Sequence, residues 1–105
     1  MKVEYFDATR TPNGCVVVTN NGPLDPHYEL HNHSPNGFEW GYAGSGPAQL
    51  ALAMCAELVG TARALVVYQQ FKDLFLADLE MDNWRITAES CMEIIFSIEM
   101  VKNAQ

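Results

Sequence analysis

Gly41–Met54, GYAGSGPAQLALAM, is the stretch that decides how this chain folds. Three glycines, at 41, 44 and 46, allow a tight turn, and Pro47 suits a first helical turn, where its missing N–H costs nothing. The run Leu50–Met54 that follows is apolar and helix-forming. The stretch therefore reads as a strand-to-helix joint. All five prolines and all seven glycines of the chain lie at or before Gly60. The first sixty residues are thus turn-rich and the rest is free of the strongest breakers, so residues 1–46 read as a strand and turn half and residues 47–105 as a helical half. Neither half is long enough to bury a core alone, so 1–105 is expected to be one α+β domain. The expected architecture is a small antiparallel sheet of about three strands, packed against about three helices.

Working outward from the joint, Val3–Phe6 reads as an edge strand, and Cys15–Thr19 (CVVVT) as a strong β-branched one. Pro12-Asn13-Gly14 reads as the turn before it, and Asn21-Gly22 as a hairpin turn after it. Pro23 and Pro26 keep the return strand short, because each removes a backbone donor. His27–Gly37 reads as loop. Phe38–Tyr42 (FEWGY) alternates aromatic and polar residues and predicts a third strand.

On the helical side, the first helix is expected to end near Val59, with Gly60 as its C-terminal stop. Thr61 is expected to cap a second helix over Ala62–Leu79, whose core stripe is Ala64, Val67, Tyr68, Phe71, Leu74 and Phe75. Leu65, Leu76 and Leu79 form a second apolar stripe, which suggests a homodimer face. Trp84–Ile86 reads as a short strand or an extended linker. Thr87 and Glu89 begin a third helix with the stripe Cys91, Ile94, Ile95, Ile98 and Val101. Lys102–Gln105 are expected to fray.

Nearly half of the chain, 49%, is hydrophobic and 18% is charged, which excludes a disordered chain. The formal net charge is −7, and the six basic residues are scattered. Direct nucleic-acid binding needs clustered Lys and Arg and is not expected. An acidic surface suits a basic partner, including a nucleic-acid-binding protein, or simply keeps the chain in solution. Cys15, Cys55 and Cys91 are far apart, with no CxxC pair, so free thiols in a reducing cytoplasm are expected. The first residues carry no signal-peptide pattern, and no apolar run reaches membrane-spanning length.

The chemistry-bearing residues fall into four groups. The loop Gly44-Ser45-Gly46-Pro47 could present backbone N–H groups to an anion at a helix start. It lacks the Lys-Ser/Thr of a Walker loop, the spacing of a dinucleotide fingerprint and the flanking glycines of a nucleophile elbow. Its plainer role is a packed turn beside Trp40 and Tyr42. His27, His31 and His33, with Asp25 and Glu29, lie in a loop without the spacing of a metal site, so no metal is expected. Asp78, Glu80 and Asp82 read as a solvated helix end, or as an acidic patch for a basic partner. Phe38, Trp40 and Tyr42 read as one strand face, used for packing or as a binding surface. Ser45, a histidine and Asp25 could be drawn as a triad, but no spacing fixes that geometry, and no catalytic residue is assigned.

These motifs carry a resemblance. Thr11-Pro12-Asn13-Gly14 with Val16–Val18, Pro23-Leu24-Asp25-Pro26, Asn32–Tyr42 (NHSPNGFEWGY) and Gly44–Ala53 (GSGPAQLALA) resemble the uncharacterised prokaryotic and phage family, domain of unknown function 6166. Tyr68–Lys72 (YQQFK) and Trp84–Thr87 (WRIT) are similar to its later motifs, and Ala43 stands where that family leads one to expect glycine. The resemblance spans Arg10 to Glu99 and implies a bacterial or phage cytoplasmic setting, with no activity to carry over. By analogy of size, charge and setting, it implies a non-enzymatic interaction protein, such as an inhibitor of a host defence complex of the CRISPR type. Glu39, Trp40, Tyr42, Ser45, Asp78, Glu80 and Asp82 are the expected contact residues. No cofactor, direct nucleic acid or membrane is expected. The alternative is a small enzyme or anion-binding module built on the Ser45 loop and His33.

Overall fold

The computed structural model describes Met1–Ala104. It is an α+β fold with a four-stranded antiparallel sheet and three α-helices. The strands are β1 (Tyr5–Thr11), β2 (Gly14–Thr19), β3 (Gly22–Pro23) and β4 (Asn83–Thr87), in the spatial order β3-β2-β1-β4. The helices are α1 (Ser45–Val59), α2 (Thr61–Phe71) and α3 (Ala88–Asn103), and a π-helical turn, Lys72–Leu76, extends α2. No helix among the described residues is long and apolar enough to cross a membrane.

Two like-built hairpins make the first three strands. In each, a Thr side chain ties the turn. Thr11 Oγ1 accepts from the Asn13 N–H at 3.1 Å and donates to the Gly14 carbonyl at 2.7 Å. Thr19 Oγ1 accepts from the Asn21 N–H at 3.0 Å and donates to the Gly22 carbonyl at 3.3 Å. The second turn is centred one residue earlier than expected, on Asn20-Asn21, and Gly22 with its φ of +112° pairs back to Thr19.

The first strand is longer than expected and is not an edge. Alternation places Phe6 and Ala8 in the core, and β1 pairs with β2 on one side and β4 on the other. Val17, Thr19 and Trp84 join the same inner face. The outer face carries Tyr5, Asp7 and Arg85, with the Arg85 guanidinium 3.9 Å from the centre of the Tyr5 ring. That half-wet face is what an antiparallel sheet tolerates.

Phe38–Tyr42 is not a strand. Its backbone pairs with no strand, and its aromatics part company: Trp40 is 1% exposed while Tyr42 is 51% exposed. The alternating pattern arises from one buried anchor with a covering residue on each side. The place expected for it in the sheet is taken by β4, which the Trp84–Ile86 pattern marks.

α1 is buried from Gly46 through Cys55, on every side of the helix. A helix that is apolar all round belongs inside a core. Alanines at 48, 51 and 53 let neighbours approach closely. Gly60, with φ +81°, stops it and also stands at the N-cap of α2, where its carbonyl accepts from the Ala64 N–H. Thr61 is therefore the first residue of α2 and not its cap.

α2 ends at Phe71, earlier than Leu79, because the π-helical turn intervenes. A π turn inserts extra chain and rotates the apolar stripe. Leu74, expected inside, is 63% exposed, and Leu76 takes the core place at 0%. The second stripe through Leu65, Leu76 and Leu79 is thereby dissolved. Leu65, Val66 and Leu74 are exposed instead, as are Phe96, Met100 and Val101 of α3. Thr87 does cap α3, accepting from the Ser90 N–H at 3.1 Å. Cys91, Ile95 and Ile98 are buried in the core, whereas Val101 is exposed. Lys102 and Asn103 remain helical, and Gln105 lies outside the described residues.

Candidate functional site

The loop that precedes α1 is fastened at two places, and both involve residues outside the expected site. Gln49 is fully buried one turn into α1. Its Oε1 accepts from the backbone N–H of His33 at 2.7 Å and of Ser34 at 3.2 Å. Its Nε2 donates to the carbonyls of Pro26 at 2.6 Å and His31 at 3.1 Å. A buried amide with both ends satisfied is the condition under which such a polar side chain is tolerated. The histidine loop is thereby laid along α1. His33 Nε2 meets the Tyr68 hydroxyl at 2.8 Å, and its ring stacks on His31 with centroids 4.0 Å apart. Burial, with His31 and Lys72 nearby, holds the His33 imidazole below its ordinary range and favours the neutral ring.

The second fastening is Arg10, at the end of β1. Nη2 donates to Glu39 Oε1 at 2.7 Å and to the Trp40 carbonyl at 3.2 Å, and Nη1 donates to Asp82 at 2.7 Å. The guanidinium also lies 4.8 Å from the Trp40 ring centre. Trp40 Nε1 donates to the Met81 carbonyl at 2.8 Å, and the Gly41 N–H donates to the Leu76 carbonyl at 2.9 Å. The joint and the segment Leu76–Asp82 therefore run side by side.

This answers the sequence expectations residue by residue. Glu39 and Asp82 grip Arg10 and are not free carboxylates. Trp40 is a core residue. Tyr42 is half exposed yet covers the turn, since a Cβ on Gly44 would meet its ring and one on Gly46 would lie 3.2 Å from its hydroxyl and 2.6 Å from Glu39 Cβ. Ser45 is exposed at the start of α1, and no hydrogen bond joins it to His33 among the described residues. The N-cap position, Gly44, makes no side-chain cap bond. Asp78 and Glu80 are exposed, and neither forms an ion pair among the described residues. The structure thus brings Glu39–Gly41 of the first expected group beside the segment Leu76–Asp82 that carries the second, and Met81 of that segment is exposed.

Gln49 and Arg10 are the residues sequence reasoning missed. Gln49 had a local signal, a lone polar side chain inside an apolar helical run. Arg10 had none, because its partners lie 29 and 72 residues away. Burial raises the thiols of Cys15, Cys55 and Cys91 above their ordinary range, and Glu39 adds to the effect at Cys15.

A hollow of about 990 Å³ opens elsewhere, between the N-terminal residues, the end of α1 and the start of α3. Lys2, Glu4, Glu57, Glu89 and Met92 line it, and none of the expected site residues does. No curated protein and no solved structure matches the chain. The model of the family of unknown function DUF6166 matches residues 6–97 of its 105 residues, and the chain belongs to that family.

Proposed function

We propose that this protein is a non-enzymatic interaction module of the bacterial cytoplasm. It docks a basic, nucleic-acid-binding protein through the face formed by Tyr42, Met81 and the carboxylates Asp78, Glu80 and Asp82. One observation carries this reading. All three arginines are already paired within the chain: Arg10 with Glu39 and Asp82, Arg63 with Glu99, and Arg85 with Asp7. Lys72 lies 3.4 Å from Asp73. The internal pairing uses up most of the positive charge, and the segment beside the joint carries Asp78 and Glu80, which form no ion pair among the described residues, with an exposed methionine, while Tyr42 of the joint is exposed too.

An aromatic and apolar centre with a charged rim is how protein contacts are commonly built. The carboxylates would steer a basic groove toward this face and compete there with phosphate. Blocking a host nuclease complex of the CRISPR type is the biological form this competition would take. The alternative anion-binding role is weakened by three features. Pro47 has no N–H, Gly46 is buried, and the Glu39 side chain packs by its Cβ against Gly46 at the helix start.

The test is a pull-down from bacterial lysate with the whole chain, with and without nuclease treatment. Recovery of a nucleic-acid-binding protein that is displaced by added nucleic acid, and lost with Asp78→Asn/Glu80→Gln, supports the proposal. Equal recovery by that double variant removes the acidic face from the contact.

A further inference from the structure

We propose that Asp25, His27 and Glu29 form a site for one divalent transition-metal ion of the Zn(II) type, with the Glu57 carboxylate of α1 facing the other side of the His27 ring. The spacing of these residues does not announce a metal site; their placement in the fold does. The three ligand atoms lie within 4.8 Å of one another. Tetrahedral coordination, with bonds of roughly 2.0–2.2 Å, needs ligand atoms about 3.4 Å apart. Nδ1 and the Glu29 oxygen are 2.9 Å apart, so the exposed Glu29 and Asp25 carboxylates would reorient around a bound ion.

His27 is placed between carboxylates at both of its ring nitrogens. Nδ1 meets Glu29 Oε1 at 2.9 Å, and Nε2 faces Glu57 Oε1 at 3.7 Å. Nε2 is buried and has no hydrogen-bond partner. A neutral imidazole carries one proton. Either tautomer of the neutral ring sets one lone pair against a carboxylate, Nδ1 against Glu29 or Nε2 against Glu57, and that contact calls for a cation, either a second ring proton or a metal ion. A metal ion at Nδ1 supplies it and leaves the Nε2 proton for Glu57. That arrangement, carboxylate to imidazole to metal, is the usual way a ligating histidine is oriented. No Lys or Arg pairs with Asp25, Glu29 or Glu57 among the described residues, and the His27 ring is the one cationic group, when protonated, that faces Glu29 and Glu57.

The backbone is set in advance for this purpose. His27 has a φ of +57°, the one non-glycine residue with positive φ among those described. Its N–H donates to Asp25 Oδ1 at 2.9 Å, which turns the Asp25 and His27 side chains to the same side. Between them, the Pro26 carbonyl is held by buried Gln49. One imidazole with two carboxylates favours a borderline ion such as Zn(II) or Co(II) over Mg(II) or Ca(II), which take oxygen ligands. An open coordination position faces solvent, since Asp25 and Glu29 are exposed.

The test is calorimetric titration of the whole metal-free chain with Zn(II), repeated with Co(II) while the visible d–d bands are recorded. One equivalent is expected to bind, with a tetrahedral Co(II) spectrum. His27→Asn keeps a residue that accepts positive φ and is expected to abolish binding while thermal unfolding stays cooperative. Glu29→Gln is expected to weaken binding at least tenfold, and Glu57→Gln by roughly 10–100-fold. Glu80→Gln, remote from the loop, is expected to bind as the parent does. Absence of saturable binding up to millimolar Zn(II) overturns the site. So does binding that survives His27→Asn, or that disappears with Cys15→Ser instead.

Discussion

Gln49 and His33, 16 residues apart in the chain, are joined by a 2.7 Å hydrogen bond from the His33 backbone N–H to the buried Gln49 Oε1. With the three further bonds that Gln49 makes, this contact turns an eleven-residue stretch without regular structure into a fixed strap along α1. It places His27 at Glu57 and His33 at Tyr68, so the geometry of the histidine loop depends on one core amide.

Gln49→Leu keeps the volume and removes all four bonds. The N–H groups of His33 and Ser34 and the carbonyls of Pro26 and His31 would lose their partner, and each unsatisfied buried group costs about 1–3 kcal/mol. Water will reach part of the strap, so a net loss of about 3–5 kcal/mol is expected. Gln49→Glu should be no better, because a carboxylate cannot donate to the two carbonyls. Urea unfolding measures both, and a Gln49→Leu midpoint equal to the parent's would show that the strap does not depend on the amide.

The glycines of the joint separate backbone strain from crowding. Gly37 and Gly41 both have positive φ, +102° and +93°. A Cβ at Gly37 would meet nothing within 4 Å, whereas at Gly41 it would lie 2.9 Å from the Leu79 carbonyl oxygen. Gly37→Ala is expected to cost about 1–2 kcal/mol, the strain of the left-handed region alone. Gly41→Ala should cost clearly more, because a backbone oxygen cannot move aside. Gly46→Ala, in ordinary helical geometry but 2.6 Å from Glu39 Cβ, tests crowding alone. Equal losses at Gly37 and Gly41 would contradict the close packing of joint and segment.

Legibility in the sequence followed the range of the forces involved. The CVVVT strand, the short return strand at Pro23, the place of Pro47 in the first turn of α1, the Gly60 stop and the Thr87 cap were readable because propensity and turn chemistry act within a few residues, although α1 begins two residues earlier, at Ser45. Phe38–Tyr42 was misread because one buried Trp40 between two less buried aromatics mimics a period of two. The phase of α2 was lost at the π turn, where Leu76 replaced Leu74 in the core, since no residue type marks such an insertion. The Arg10 grip on Glu39 and Asp82 was invisible for a related reason: it exists only once β1, the joint and the segment before β4 are already assembled.

The thiols offer a probe of that assembly. Burial pushes the Cys91 thiol up to about 12, and pushes Cys55 up as well, with Cys91 nearby adding to the effect. The thiolate is the reactive form, so neither should alkylate in the native state at mildly alkaline pH. Cys15, half-buried beside Glu39, should react alone and more slowly than a free thiol. Mass spectrometry after iodoacetamide treatment, with and without denaturant, reads this directly. Native labelling at Cys55 or Cys91 at the Cys15 rate would mean that α1 and α3 are not packed as described.

Acid should loosen the joint through Glu39. Burial works against its ionisation, but the Arg10 guanidinium and the Trp40 N–H outweigh burial and hold the carboxyl below its ordinary range. In the window between the two values, the unfolded chain binds the proton and the folded chain does not, so stability rises with pH there. The contribution is complete above the unfolded value, about 4.3, and is lost as pH falls through the lower folded value. With the side chain 38% exposed, solvent screens the pair and the effect is modest. Glu39→Gln retains the wedge against Gly46 and can still accept from Arg10, but carries no charge. Its urea midpoint should be lower than the parent's at neutral pH, and the two curves should converge in strong acid. Parallel curves across that range would show that the charge of Glu39, as opposed to its shape, contributes nothing to holding β1 against the joint.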